Sequence, residues 1–547
     1  MMRNQTIELK TKLQAEKNYV QRRGAQKKFA LIYPNAYGVG MSNLGLHVVY
    51  DLINRRREFA CERFFLPDPK LLNQLTRSRE PLLSLETQTP LLKFPIIGAC
   101  LTFEPDYFNL LAILSLGRIK LRAEQRGERD PLIIAGGPCA TFNPMPLSTI
   151  IDAFVIGEGE VIMPAVLDVL SQSLSRSEML QALSTIEGVY VPTVEQSSVK
   201  RRWLIDLDAQ PAHTVVVADN LELDMYLIEV ARGCGRHCRF CMAGYCFRRP
   251  RVHSLDTISN QLDAAAPFGK KIGLMGAAVS DYPHIDELCR MIIDRGMTLS
   301  VASFRADSVT KTLVDSLVAS GTRTLTIAPE AGSERMRAVI NKGITVEHVF
   351  NTIELGLAAG IRHFRLYFMI GLPFETIEDV DEIVALSNRI KDFVGEGVRL
   401  TLSVNAFVPK PFTPFQWEPM ADRKYIERAF KTIREGLKRR GVEVITDSSR
   451  AATVQSILAR GGRELGEVLL SAHDRGGAKS FMRALKDHGL DGDEYLYRPR
   501  GTDEQLPWDV LDQGFDKKYL IGELDRARQL KSTAPCVDGC KRCGVCK

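Results

Sequence analysis

The sequence ARGCGRHCRFCMAGYC spans Ala231–Cys246 and places Cys234, Cys238 and Cys241 within eight residues. It overlaps the apolar stretch MYLIEVA (225–231), which predicts a buried β-strand, so the cysteines follow a strand end. Thiolates are soft ligands that suit zinc and iron–sulfur clusters. A structural zinc site usually has four protein ligands, often as two CxxC pairs, whereas this spacing is CxxxCxxC. Three thiolates on one loop favour a cubane cluster whose fourth iron is free to bind a small molecule.

The zinc alternative for the same loop needs a fourth ligand, and Cys246 and His237 are the candidates. The surrounding chain has 547 residues, which predicts three or four domains, and twelve cysteines. Its formal charge of +6 is only mildly basic, and no apolar run approaches the roughly 18 residues of a membrane helix. The amino-terminal stretch is charged and unlike a signal peptide. We therefore expect a cytoplasmic protein with no membrane partner, in which clustered cysteines bind metal.

Residues 220–445 contain a strand–helix unit about six times. Repeated right-handed βα units close toward a barrel, and the chemistry of such barrels gathers at the carboxyl ends of the strands. Six units predict a partial (β/α)6 TIM-type barrel that is open on one side. The predicted strands lie at 225–231, 271–277, 298–304, 322–328, 362–370 and 399–407.

Residues 1–200 predict a doubly wound, Rossmann-like α/β domain. Near-continuous apolar runs end in glycine-containing turns, which is typical of a parallel sheet covered on both faces. Ligands of such sheets bind at the carboxyl ends of the strands. The predicted strands lie at 28–34, 94–103, 131–140 and 151–160.

The carboxyl-terminal part of the sequence divides into two segments. Residues 446–530 predict a small, mainly helical region. Residues 531–547 form a tail in which Cys536, Cys540, Cys543 and Cys546 lie within eleven residues. Four thiols at this density predict a metal site, and either zinc or a second iron–sulfur cluster fits, with iron favoured because the chain already has one cluster motif.

With these motifs in view, the sequence resembles radical SAM enzymes. The resemblance implies a four-iron–four-sulfur cluster on Cys234, Cys238 and Cys241, with S-adenosylmethionine (SAM) on the fourth iron. One electron then cleaves SAM and yields a 5′-deoxyadenosyl radical. Phe240, which precedes Cys241, also fits that family's loop. The stretches YPNAYGVGMSNLG (33–45), GAAVSDYP (276–283) and SVNAFVPKPFTPFQW (403–417), with the cysteine tail, resemble one radical SAM subgroup that has an N-terminal cobalamin-binding-like domain. This resemblance covers essentially the whole chain.

The resemblance also implies residues for SAM binding at the ends of four barrel strands. GLMGAAVSD (273–281) is similar to the turn that contacts the SAM amino group, although Ala277 and Ala278 stand where many members have an acidic residue. Arg305 would pair the SAM carboxylate and Ser303 would bind ribose. Ile370 and Gly371 would flank the adenine. The complete set of implied residues is Gly276, Ala277, Ser280, Ser303, Arg305, Glu330, Ser333, Ile370 and Gly371.

An α/β domain before such a barrel resembles the cobalamin-dependent subclass. Its usual motif, DxHxxG, supplies a histidine to cobalt, and this chain has no match; His47 lies on the following helix. Two interpretations remain open: cobalamin binds without a histidine ligand, or the domain keeps a cobalamin-binding-like fold and has lost the cofactor.

The leading functional hypothesis is therefore SAM cleavage followed by hydrogen abstraction, leading to methyl transfer, methylthio transfer or rearrangement on an unknown substrate. An electron donor such as flavodoxin or ferredoxin would be a partner. A second hypothesis is RNA modification, which draws on basic stretches such as RRGAQKK (22–28). A third, from a different class, is a non-catalytic zinc scaffold.

Overall fold

The computed structural model describes residues 2–219, 221, 223–537 and 539–546. These residues form two compact units. The first unit consists of residues 1–224, 458–492 and 505–514, and the second of residues 225–457, 493–504 and 515–547. The predicted helical region 446–530 is mainly helical, and its residues are divided between the two units.

The first unit is built on a six-stranded sheet. The first five strands in spatial order are parallel and the last pair is antiparallel. Counted along the chain, the spatial order is 2-1-3-4-5-6, which matches the flavodoxin-like doubly wound arrangement. The strands in spatial order are Phe59–Phe65, Lys27–Tyr33, Ile96–Cys100, Leu132–Gly136, Ala153–Val155 and Val189–Tyr190.

Helices cover both faces of this sheet. Phe29 and Leu31 pack in one apolar cluster with Tyr50 and Val166 of two helices. The intervening Ala30 is fully buried and points to the opposite face because strand side chains alternate. Both faces are therefore apolar, and the predicted α/β fold is confirmed. The longer helices of the unit are Met2–Gln14, Leu44–Arg55, Pro69–Ser78, Asp106–Leu116, Gly159–Ser171, Arg176–Ser184, Leu465–Asp474 and Phe481–Asp487.

The edge strand Phe59–Phe65 carries a buried arginine. Arg63 pairs with Glu16 at 2.6 Å and with Glu86 at 2.7 Å, and all three side chains are at most 1% exposed. Removing one member of such a group would leave an uncompensated buried charge. The ion pairs therefore tie this strand to residues far away in the sequence.

The second unit contains the partial barrel, with all six predicted strands and a short seventh. Its parallel strands form a sheet of three and a sheet of four, joined by a bridge between Phe304 and Ile327. The strands in order are Met225–Glu229, Lys271–Met275, Leu299–Ser300, Thr324–Glu330, His363–Ile370, Arg399–Ala406 and Glu443–Thr446. The seventh strand was not predicted.

Helices pack on the outside of the barrel. A Cβ atom at Gly356, in the helix Val346–Ala358, would lie 2.8 Å from the Phe364 ring, so this helix sits directly against the fifth strand. The longer helices of the unit are Leu255–Ala265, Ile285–Asp294, Lys311–Ala319, Val346–Ala358, Ile377–Val394, Arg423–Lys438 and Lys517–Arg528, together with residues 449–457 of the helix Ser449–Arg460. None of the helices in the described part of the chain combines the length and apolar character needed to cross a bilayer.

Candidate active site

The cysteine loop begins where the first barrel strand ends. Glu229, the last residue of that strand, forms a bidentate ion pair with Arg232 at 2.8 Å. Ala231–Arg232 then pairs antiparallel with Arg251–Val252, which closes the loop at its base. Gly233 has a φ of +81°, and a Cβ there would lie 2.1 Å from the carbonyl oxygen of Phe247. A glycine is therefore required at the point where the chain enters the loop.

The three thiols of the loop influence one another. Burial, and then the neighbouring Cys238 and Cys234, raise the pKa of Cys241 to about 12. The same causes, with Cys238 as the neighbour, raise the pKa of Cys234. The free thiols of Cys234 and Cys241 stay protonated at neutral pH, so a metal must displace their protons. The donor set fits an iron–sulfur cluster.

Across the described residues, no three His, Cys, Asp or Glu side chains are grouped so as to hold one metal ion. In a cubane cluster, each cysteine binds a different iron atom. Cysteines of such a cluster therefore need not converge on a common point.

Two buried cations lie beside Cys238. The Arg305 Nη1 atom is 3.8 Å from the Cys238 Sγ atom, and Arg305 is held by Asp307 at 3.0 Å and by the carbonyl oxygen of Lys342 at 2.7 Å. The Lys342 ammonium pairs with Glu330 at 3.1 Å. Burial acts to lower the pKa of Lys342, but Glu330 and then Cys238 raise it overall. This charge pattern stabilises anionic ligands at the loop.

Arg236, inside the loop, connects it to the ends of the second and third strands. Its guanidinium binds both carboxylate oxygens of Asp281, at 2.7 and 2.6 Å, and Asp307 at 3.0 Å. Burial acts to raise the pKa of Asp281, but hydrogen bonds from Arg236 and Ser308, together with the charges of Arg236 and Arg305, lower it overall. Asp281 is thus ionised and orients the loop.

The residues implied at the second and third strands differ in their exposure to solvent. Gly276, Ala277 and Ser303 are exposed, whereas Ser280 is buried. The Ser280 hydroxyl accepts a bond from the Arg305 amide at 3.4 Å and lies 2.8 Å from the Ser308 hydroxyl. Ser280 therefore contacts the Arg305 backbone.

The residues implied at the fourth strand have different surroundings. Glu330 ends that strand with a φ of +69°, a backbone conformation uncommon for this residue type, and binds Lys342. Ser333 caps the helix Glu334–Val339: its hydroxyl accepts a bond from the Met336 amide at 3.0 Å and donates to Asp379 at 2.6 Å. Ser333 thus has a capping role.

The residues implied at the fifth strand are Ile370 and Gly371. Ile370 is fully buried and shares its strand face with Phe364, which packs against the outer helix Val346–Ala358. By this alternation Ile370 points toward the helix layer, while Tyr367 and Met369 point the other way. Gly371 has a φ of +71° and its amide donates to Glu375 at 2.6 Å.

Glu375 makes the stability of this turn dependent on pH. Burial raises its pKa from 4.5 to about 7, although bonds from Gly371 and Tyr425 oppose the shift. Glu375 therefore binds more protons in the folded chain than in the unfolded chain between these pH values. Its contribution to stability is fully present below pH 4.5 and is lost as the pH rises through about 7. We expect this site to lose about 1–3 kcal/mol across that window. Glu375→Gln should reduce the dependence of the free energy of unfolding on pH, which is measured by denaturant titrations at several pH values. If the variant and the unaltered chain show the same pH dependence, Glu375 is not the group responsible.

The carboxyl-terminal segment of the second unit packs against the cysteine loop. Arg239 is fully buried; its guanidinium binds Glu523 at 3.1 Å and donates to the carbonyl oxygen of Lys531 at 2.6 Å. Asn341 donates to the carbonyl oxygen of His237 at 3.2 Å and exchanges two bonds with the Thr533 backbone. Sequence reasoning missed these contacts, although arginines inside the cysteine motif were a signal.

The tail cysteines lie beside the same loop. The Cys536 amide donates to the carbonyl oxygen of Gly235 at 2.8 Å, and the Cys536 Sγ atom is 3.1 Å from His237 Nε2. The Arg542 Nε atom lies 3.3 Å from the Cys540 Sγ atom, and hydrogen bonds from Arg542 lower the pKa of Cys540. Burial raises the pKa of Cys536 to about 11. The two cysteine groups thus meet at one end of the barrel.

A cavity of about 960 Å³ lies between the loop and the carboxyl-terminal helix Lys517–Arg528. Its lining is rich in cations and includes Arg236, Arg305, Lys342, Arg526 and Arg542. An anionic ligand would be favoured in this space.

Comparison with known proteins gives the family. The model of the radical SAM superfamily matches residues 228–387, which contain the cysteine loop, the end of the first barrel strand and the next four strands. A model described as the N-terminal part of radical SAM proteins matches residues 45–192. The chain is a member of the radical SAM superfamily.

One relative matches this radical SAM chain in sequence over most of its length. The uncharacterized protein MJ0966 of Methanocaldococcus jannaschii is 31% identical over 478 residues, which are 86% of this chain and 96% of the relative. Among solved structures, the cobalamin-dependent SAM radical enzyme OxsB matches with 17% identity and a TM-score of 0.46, over 78% of this chain and 58% of that chain. Coproporphyrinogen III oxidase (HemN) from Escherichia coli matches with 14% identity and a TM-score of 0.30, over 39% and 52%.

Membership in the radical SAM superfamily implies a four-iron–four-sulfur cluster and SAM.

In the first unit, both ring nitrogens of His47 are engaged by the backbone, so this side chain is not available as a ligand for cobalamin. His47 is buried, its Nε2 lies 2.9 Å from the carbonyl oxygen of Met41, and its Nδ1 accepts a bond from the Val216 amide at 3.4 Å. The turns after the five parallel strands (34–43, 66–68, 101–105, 137–144 and 156–159) contain no histidine. The residues present therefore do not fit a histidine-ligated cobalt.

Proposed function

We propose that this radical SAM enzyme holds a four-iron–four-sulfur cluster on Cys234, Cys238 and Cys241 and cleaves SAM reductively. When bound, the cluster supplies one electron to the sulfonium of SAM and so generates a 5′-deoxyadenosyl radical. The observation that carries the proposal is the cysteine loop itself: three mutually close thiols at the end of the first barrel strand, beside the buried cation Arg305.

The surrounding side chains support a defined role in SAM binding. Arg305 has its charge fixed by Asp307, and its guanidinium would pair the SAM carboxylate next to Cys238. Backbone carbonyl groups near Gly276 and Ala277 would accept bonds from the SAM amino group, and the exposed Ser303 would contact ribose. Lys342 pairs with Glu330 at 3.1 Å at the rim of the same site. These residues bind and orient SAM and take no part in proton transfer.

The radical then abstracts hydrogen from a substrate, and methyl transfer, methylthio transfer or rearrangement follows. The proposed electron source is a one-electron carrier protein such as flavodoxin or ferredoxin. In the first unit, the engagement of His47 supports the interpretation that the α/β domain keeps a cobalamin-binding-like fold without a cobalt–histidine bond.

We also propose that Cys536, Cys540, Cys543 and Cys546 hold a second metal centre. Its support is the density of thiols and the contact between Cys536 and the cysteine loop. An iron–sulfur cluster is favoured over zinc because the chain already acquires one cluster.

The deciding experiment is anaerobic reconstitution with iron and sulfide, followed by addition of SAM and dithionite. We expect a brown protein that forms 5′-deoxyadenosine and methionine only when the reductant is present. Corrin content is measured on the same anaerobically purified material. A colourless protein with stoichiometric zinc at both cysteine groups would instead support a non-catalytic scaffold.

A further inference from the structure

The side chains of the fifth barrel strand, His363–Ile370, alternate between two environments. The residues on the face that meets the helix layer are at most 1% exposed: Phe364, Leu366, Phe368 and Ile370. Arg365 and Tyr367 alternate with them and therefore face the barrel interior, where both side chains are half-buried. Solvent thus reaches the inside of the barrel, and a guanidinium stands within it.

The neighbours of Arg365 on the adjacent strands have short side chains. Arg365 pairs in register with Thr326 of the fourth strand and with Thr401 of the sixth. Cross-strand neighbours on one face lie about 5 Å apart, so these two threonines flank the arginine. The interior at this level therefore has room for a ligand next to the guanidinium.

A series of hydrogen bonds occupies the amino-terminal end of the same interior. His363 Nδ1 lies 2.8 Å from the Thr324 hydroxyl, and His363 Nε2 lies 2.9 Å from the Thr401 hydroxyl. The Thr401 hydroxyl donates to Glu443 at 3.1 Å. Because these groups satisfy one another, Arg365 lies between an occupied end of the barrel and the end that carries the cysteine loop.

Arg365 has no anionic partner among the residues that the structure describes. Its guanidinium forms no hydrogen bond or ion pair with them, and its Nε atom is buried without an acceptor. The three carboxylates of the barrel strands pair with other cations: Glu229 with Arg232, Glu330 with Lys342, and Glu443 with Arg399. A buried donor without an acceptor costs stability, and a bound carboxylate or phosphate would satisfy it.

We propose that Arg365 binds the anionic group of the substrate, a carboxylate or a phosphate, inside the barrel. A guanidinium stays charged in proteins, and its planar donors match either group. The SAM carboxylate is assigned to Arg305, so Arg365 is available for a second anion. In treating this anion as part of the substrate, the inference rests on the proposed function.

The position of Arg365 along its strand also bears on the substrate's length. The strand continues for five residues from Arg365 to Ile370, which is about 16 Å at about 3.3 Å per residue. The proposed radical forms at that end of the barrel. The geometry therefore favours an extended acid whose reacting carbon is remote from its charged group.

Thermal unfolding of the full chain, without SAM and with increasing inorganic phosphate or succinate, tests the proposal. A ligand that binds the folded chain raises the melting temperature by mass action. We expect at least one of these anions to stabilise the unaltered chain. Arg365→Gln should weaken that binding by about tenfold or more, the effect of losing a charge-assisted hydrogen bond.

Arg423→Gln is the matched control, because Arg423 is 56% exposed on an outer helix and pairs with Glu427. Both variants lose one positive charge, so anions bound at other cations affect them equally and the difference reports on Arg365. Stabilisation by phosphate alone identifies a phosphate ester as the substrate class, and stabilisation by succinate alone identifies a carboxylic acid.

Equal stabilisation of Arg365→Gln and Arg423→Gln, or stabilisation of the unaltered chain by neither anion, would overturn the proposal. Without added anion, Arg365→Gln should be at least as stable as the unaltered chain, since it removes an unsatisfied buried donor. A lower melting temperature would show that Arg365 has a structural role and would also overturn the proposal. No readout requires SAM cleavage, so failure of the proposed function is distinguishable from failure of this inference.

Discussion

Changing Cys238 to Ala is expected to abolish SAM cleavage, lowering 5′-deoxyadenosine formation by more than about 1,000-fold, or roughly 4 kcal/mol in activation free energy. Cys238 is the most buried cysteine of the loop and lies 3.8 Å from Arg305. Without the Cys238 thiolate, one iron atom of the proposed cluster would lack a protein ligand. Arg305 would also lose its contact with the Cys238 sulfur. The measurement is 5′-deoxyadenosine per chain after anaerobic reconstitution, with iron content determined on the same sample.

Cys246→Ala is the matched control for this prediction. Cys246 is fully buried in the short helix Ala243–Cys246, five residues beyond the last cysteine of the motif. We expect the variant to keep its iron and its activity. Retained turnover in Cys238→Ala, or equal loss in both variants, would refute the assignment of the three-cysteine site.

Glu523→Ala is expected to destabilise the carboxyl-terminal helix by about 3–5 kcal/mol. Glu523 pairs with Arg239 at 3.1 Å, and the two side chains are 4% and 0% exposed. Its removal leaves a buried guanidinium bound only to carbonyl oxygens and also deprives Thr533 of its acceptor. Hydrogen exchange of the amides in Lys517–Arg528 measures the change in the free energy of opening.

Asp525→Ala provides the control on the same helix. Asp525 pairs with Arg528 at 3.4 Å, and both side chains are about half exposed. Exposed ion pairs contribute about 1 kcal/mol or less to stability. The amide hydrogen exchange of the Asp525→Ala variant should therefore match that of the unaltered chain. If Glu523→Ala also leaves the exchange unchanged, the helix is not fastened through Arg239.

The fold was predictable where strands are continuous apolar runs. The strands Lys27–Tyr33 and Leu132–Gly136 were predicted because their residues are buried on both faces of a parallel sheet. Phe59–Phe65 was missed because Glu62 and Arg63 interrupt its apolar pattern. The acids that neutralise Arg63 are supplied by distant parts of the sequence, which no local pattern reveals.

The residues of the candidate site were predictable only where they belong to a recognisable sequence motif. The cysteine spacing identified the loop and its family, whereas the partners of Arg239 and His237 come from a segment almost 300 residues later. Ile370 lies in an apolar strand whose sequence does not reveal which face meets the helices. Its orientation became evident only from the burial alternation and from the helix packed on Phe364.

The span between His237 and Cys536 also bears on how the chain matures during translation. These two residues are 299 positions apart, so ribosomes elongating at about 5–20 residues per second need roughly 15–60 s to add the second after the first. Throughout that interval the nascent cysteine loop has no docking helix and its thiols are open to oxidation. Iron delivery machinery would therefore act most productively on completed polypeptides, and oxygen would do the most damage to chains still on the ribosome.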